Sequence, residues 1–150
     1  QFYRATWNPH NPGFYTAGAQ DNGTTTGNYE DLGGWTRDLG GDGFTAIYHP
    51  TDPALRYAGY QWGNWRFSMT EPGEELQWND FTYGIEEEDR VWWDAPLIYH
   101  PSNPDEMWTG SQRVYRMEIG KMELSINQIL LMIQQFQLFQ KILHGLIASM

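Results

Sequence analysis

The 150-residue sequence contains no cysteine. That excludes a disulfide framework, a thiolate zinc site and catalysis by a cysteine nucleophile. Positive charge is scarce: 9 Lys and Arg stand against 19 Asp and Glu, a formal net charge of −10 at pH 7. A surface this acidic repels phosphate backbones and anionic headgroups, so nucleic acid is not an expected partner. No uninterrupted apolar run reaches the roughly 18 residues of a membrane-spanning helix, and no membrane span is expected. A Gly-rich phosphate loop, a zincin motif, a nucleophile elbow and EF-hand spacing are all missing, so no cofactor and no metal are expected.

One further absence divides the chain. All 8 Trp, all 9 Tyr and all 8 Pro lie before Glu118, and none lies after it. Both lysines, Lys121 and Lys141, fall in the remainder. Through Glu118, 7 Arg against 18 Asp and Glu give −11; from Ile119 on, 2 Lys against Glu123 give +1. Two kinds of polypeptide meet here, and the expected division is residues 1–118 and residues 119–150.

What the first part holds is a repeat. "WNPHNPGFYTAG" (Trp7 to Gly18) returns as "YHPTDPALRYAG" (Tyr48 to Gly59) and as "YHPSNPDEMWTG" (Tyr99 to Gly110). Two prolines, an Asn or Asp before the second, and a closing Gly are matched in every copy. The starts are 41 and 51 residues apart, near the period of propeller blades. Each proline fixes its own φ and extends the residue before it, so the segment ends one strand and opens the next. The second copy predicts strands at Thr45 to Tyr48, Leu55 to Tyr60, Trp65 to Met69 and Gln77 to Phe81. The third predicts Ala95 to Tyr99, Glu106 to Ser111 and Arg113 to Met117. Short aromatic and β-branched strands between Gly, Pro and Asn turns give an all-β fold of four-stranded antiparallel units. An ordinary β-sandwich with similar turns is the competing architecture.

"AGAQDNGT" (Ala17 to Thr24), "GGDGF" (Gly40 to Phe44) and the "HPTDP" and "HPSNP" corners resemble bacterial secreted β-propellers with Asp-box (BNR) repeats. Among these the sortilin-like (Vps10-type) propellers, often labelled glycosyl-hydrolase-like, are the most similar. The likeness runs in order from Trp7 to Met117, roughly three quarters of the chain. The boxes depart from the pattern: "SMTEPGEELQW" (Ser68 to Trp78) lacks the Asp, and "EDLGGW" (Glu30 to Trp35) is shortened. In the family such a box is a hairpin turn between the last two strands of a blade, structural rather than catalytic. The resemblance implies a secreted or cell-surface bacterial protein and a partial β-propeller of about two to three blades. About four to eight blades close a ring, so the remaining blades of a longer protein are expected partners.

Residues 119–150 carry two readings. Ser125 and Gln128 have capping-box spacing, and Ile126, Ile129, Leu130, Ile133, Phe136, Leu143, Leu146 and Ile147 fall broadly on one helical face. The stretch then reads as an amphipathic helix. The other reading is a non-native tail from out-of-frame translation. Back-translation from Glu118, read from the third base of each codon, permits a stop-free run rich in Asn, Asp and Pro.

Glycosidases need two carboxylates across the scissile bond. Asp21 in "AQDNG" and Asp42 in "GGDGF" are the candidates, being flanked by Gly in loops; Asp beside Gly also serves turns by bonding its own backbone. Trp62, Trp65, Trp92 and Trp93 lie near strand ends, where flat rings stack on sugars or fill a core. His49 and His100 share one repeat position and read as turn residues. "GIEEEDR" (Gly84 to Arg90) reads as a solvated charge run. The expected function is noncatalytic binding of a glycan or protein ligand. The alternatives are a piece of a glycoside hydrolase and an inactive truncated product.

Overall fold

The computed structural model describes residues 1–118. The chain divides into two units, Gln1–Met117 and Glu118–Met150. The helical and out-of-frame readings of the tail lie outside the described residues.

The described part is all-β: three antiparallel sheets taken in chain order, with no helix among the described residues. The first sheet is β1 (Phe2–Trp7), β2 (Phe14–Ala19), β3 (Gly23–Asn28) and β4 (Asp31–Leu39), ordered as in sequence. The second is β5 (Ala46–Tyr48), β6 (Leu55–Tyr60), β7 (Asn64–Met69) and β8 (Asn79–Asp80), in the same order. The third contains β9 (Leu97–His100), β10 (Asn103–Gly110) and β11 (Val114–Glu118). The strands expected from the second and third repeats are found within a residue or two, except that β10 begins three residues early at Asn103 and β8 shrinks to Asn79–Asp80. The stretch Ser68 to Trp78 spans the connection between β7 and β8, the last two strands of the second sheet, whereas Glu30 to Trp35 lies mostly inside β4.

The repeated dodecamer is the corner between the first two strands of each sheet, and its side chains explain the repetition. In the second copy His49 is buried, and its Nδ1 accepts the backbone N–H groups of Thr51 (3.3 Å) and Asp52 (3.0 Å). In the first copy Asn8 does the same through Oδ1, accepting from His10 (2.9 Å) and Asn11 (3.1 Å). In the third, His100 Nδ1 accepts from Ser102 at 3.2 Å. Three residues on, Asn11, Asp52 and Asn103 each accept the N–H two positions ahead, at 3.3, 2.9 and 3.3 Å. Each corner is thus two successive side-chain turns, locked by two prolines that have no N–H of their own to satisfy.

The core lies between sheets. Phe44, Ala46, Tyr48, Leu55, Tyr57, Ala58, Trp65, Phe81, Leu97 and Met107 are buried. Close approach needs glycine at two points in particular. A Cβ on Gly18 would lie 2.2 Å from the Phe44 carbonyl oxygen, and one on Gly43 would lie 2.1 Å from that of Gly23. The β2 strand and the segment entering β5 therefore touch backbone to backbone.

Candidate functional site

The three hairpins β2–β3, β6–β7 and β10–β11 turn at Gln20–Asn22, Gln61–Gly63 and Ser111–Arg113. The segments leading into β5 and β9 arrive beside them. Gly43 N–H donates to the Ala19 carbonyl (3.1 Å), and Trp62 N–H donates to that of Trp93 (3.1 Å). One chain of contacts therefore runs through the loops. Asp42 Oδ1 accepts Asp21 N–H at 2.7 Å, Gln61 Oε1 accepts Asp42 N–H at 3.0 Å, and Trp62 and Trp93 rings meet edge to face at 4.9 Å. Trp93 in turn meets Phe44 at 6.0 Å, and Phe44 meets Tyr3 at 4.6 Å.

Asp21 and Trp62 occupy the same slot in successive hairpins and share an uncommon backbone. Their φ angles are 62° and 66°, the two positive values among non-glycine residues described. Asp tolerates this region; a Trp there is an outlier costing on the order of 1–2 kcal/mol. Trp62 is 56 % exposed, Trp92 73 % and Trp93 39 %. Trp62 thus carries an exposed ring on a strained backbone, edge to face with the ring of Trp93. The carboxylate pair is in a different situation. Asp42 holds the Asp21 turn in place from 21 residues away, a tertiary brace and not a local turn.

Trp65 does not join this group. It is 1 % exposed, its Nε1 donates to Thr109 Oγ1 at 3.0 Å, and its ring fills the space over Gly59. Placed inward on β7, it presents no ring face to a sugar, and its role is in the core. His49 and His100 are turn acceptors, as their repeat position suggested.

The charge run divides on inspection. Glu86, Glu87 and Glu88 are exposed, but the Asp89 side chain is enclosed. Its carboxylate accepts hydrogen bonds from Ser111 Oγ (2.5 Å), Tyr115 OH (2.6 Å) and Gln112 Nε2 (2.9 Å), and Arg113 lies 2.8 Å away. This ties the loop before β9 to the β10–β11 hairpin. Nothing in the spacing of "GIEEEDR" separates Asp89 from its neighbours; the partners come from 22 to 26 residues away. The hydrogen bond from Ser111 and then that from Tyr115 hold the Asp89 carboxyl below its ordinary 3.8. Desolvation opposes them, and Gln112 and Arg113 add to the lowering. A carboxyl lowered in the folded state stabilises the fold above its unfolded value, and that contribution is lost as pH falls through the folded one. Acid titration followed by circular dichroism is therefore expected to show stability declining below pH 3.8. Asp89→Asn is expected to flatten that decline; an acid limb identical to that of the parent chain would refute the assignment.

Among the described residues no group of three or more His, Asp or Glu is placed to hold a metal ion, and no helix is long and apolar enough to cross a membrane. No family model matches the chain, and no curated protein and no solved structure matches it.

Proposed function

We propose that the described residues are three blades of a β-propeller whose loop-bearing face binds a glycan or protein ligand without catalysis. The observation that carries this reading is Trp62, held at φ 66° with its ring 56 % exposed and edge to face with Trp93. Backbone strain of this kind persists where a function uses it. The asymmetric loops support the assignment as well: the hairpin slot holds Asp21 in one sheet and Trp62 in the next, so the face is not a mere repetition. The resemblance to secreted Asp-box propellers agrees with a secreted or cell-surface setting. The remaining blades would come from a longer protein.

The test separates binding from folding. Trp62→Gly removes the ring and relieves the positive φ. Lost edge-to-face stacking costs roughly 0.5–1.5 kcal/mol, and relieved strain returns about as much. Stability in urea is therefore expected to change by less than about 1 kcal/mol. Retardation of the chain in gels containing soluble polysaccharides is expected to weaken at least tenfold. Unaltered retardation, or none by the parent chain on any polysaccharide or immobilised peptide tried, would sink the reading.

A second reading, a glycoside hydrolase using Asp21 and Asp42, rests on the two residues lying in adjoining loops, where Asp21 N–H donates to Asp42 Oδ1 at 2.7 Å. It requires release of reducing sugar that Asp42→Asn abolishes. The expected outcome is no release by either chain.

A further inference from the structure

We propose that the third sheet of one molecule docks on the first sheet of a second copy of this chain. This would continue between molecules the stacking already present within each. Gly18, Gly59 and Gly110 hold equivalent places in β2, β6 and β10. Side chains alternate along a strand, so each sheet has two different faces. One, here called forward, carries that glycine and the residue two before it: Thr16, Tyr57 or Trp108. The other, backward, carries the residue between them: Ala17, Ala58 or Thr109.

Two contacts inside the chain join a forward face to a backward one. Thr16, Thr24 and Thr26 of the first sheet line a small cavity with Ala46, Tyr48 and Arg56 of the second. Tyr57 of the second sheet meets Tyr99 of the third at 6.1 Å between ring centres, and Trp65 bonds Thr109 at 3.0 Å. Leu97 and Met107 are buried in that same contact.

Among the described residues, one face of each kind is left over. On the backward face of the first sheet, Phe2, Trp35, Tyr15 and Trp7 form an unbroken run of rings 5.1–5.6 Å apart. Phe2 is 52 % and Trp7 63 % exposed, and hollows of about 240 and 330 Å³ flank the run. On the forward face of the third sheet, Ile98 is 60 % and Val114 71 % exposed. Trp108 lies between them, and Glu106 and Arg116 pair at 3.8 Å along the edge. Contiguous apolar surface of this extent marks a docking site. The occupant follows from continuity with the contacts already made. A backward face receives a forward face, and the third sheet of a second copy has one to offer. Because the two surfaces differ, the contact is head-to-tail and not two-fold symmetric. These residues lie on sheet faces, away from the loops that carry Trp62, so the proposal stands apart from the ligand reading. For this chain by itself, a second copy takes the place that further blades would take in a longer protein.

Light scattering on the full chain across micromolar concentrations is expected to give at least twice the 17.5 kDa of one molecule. Trp7→Glu spoils one face and Ile98→Glu the other, and each variant alone is expected to be monomeric. Mixed one to one they are expected to form a dimer and stop there, since each retains the face that the other lost. Phe2→Lys and Val114→Glu repeat the test on the same two faces should a first variant misfold. A monomeric parent chain, association that survives the substitutions, or a mixture that stays monomeric would overturn the proposal.

Discussion

Trp65→Ala is expected to cost about 4 kcal/mol of stability, within the range of about 3–5 kcal/mol for removing a large buried aromatic. The ring is 1 % exposed and occupies the space over Gly59, where a Cβ would stand 2.1 Å from its Cζ3 atom. Truncation leaves a hole that β6 cannot collapse to fill, because Gly59 has no side chain to move in. Thr109 Oγ1 keeps its bond to the Pro96 carbonyl at 2.7 Å, so the loss comes mainly from packing and not from a stranded hydroxyl. Trp65→Phe retains most of the ring volume and loses the indole N–H bond, a loss of about 1–2 kcal/mol. Urea unfolding followed by far-ultraviolet circular dichroism measures both. A Trp65→Ala chain within 1 kcal/mol of the parent would mean that the second and third sheets do not depend on this contact.

His49→Ala is expected to destabilise by about 2–3 kcal/mol, because it strips the acceptor from two backbone N–H groups and empties a buried site. The instructive comparison is His49→Asn. Asn8 already does this work in the first repeat, accepting from His10 and Asn11 through a single oxygen. Asparagine at position 49 is therefore expected to recover about half of the loss, the remainder being the ring's edge contact with Tyr99 at 5.8 Å. Equal losses for Ala and Asn would show that the ring's bulk, and not its Nδ1 acceptor, holds the corner. The same denaturation experiment decides it.

These two cases divide what could be read early from what could not. The corners were legible because their determinants are local: proline, an Asx residue and a polar acceptor act within five positions of one another, and three copies show them aligned. The strands flanking the second and third corners were found for the same reason. The hairpin glycines, too, announced turns.

Trp65 and Trp62 were alike in sequence, both near the β6–β7 hairpin, and the structure sends one to the core and the other to solvent. Strand alternation explains the first, since position 65 faces the third sheet across Gly59. The second depends on a bond from Trp62 N–H to the Trp93 carbonyl, 31 residues away, which no local pattern contains. Asp89 was hidden in the same way, among three exposed glutamates whose composition it shares.

By itself the sequence determined the all-β class, the repeat, the corners and the acidic, cysteine-free chemistry, because proline geometry, turn chemistry and charge act over a few residues. Only the tertiary structure decided which tryptophans are core and which are exposed, that Asp42 braces Asp21, and which sheet faces stay open among the described residues. Those outcomes rest on contacts between segments that the chain brings together only when the sheets stack.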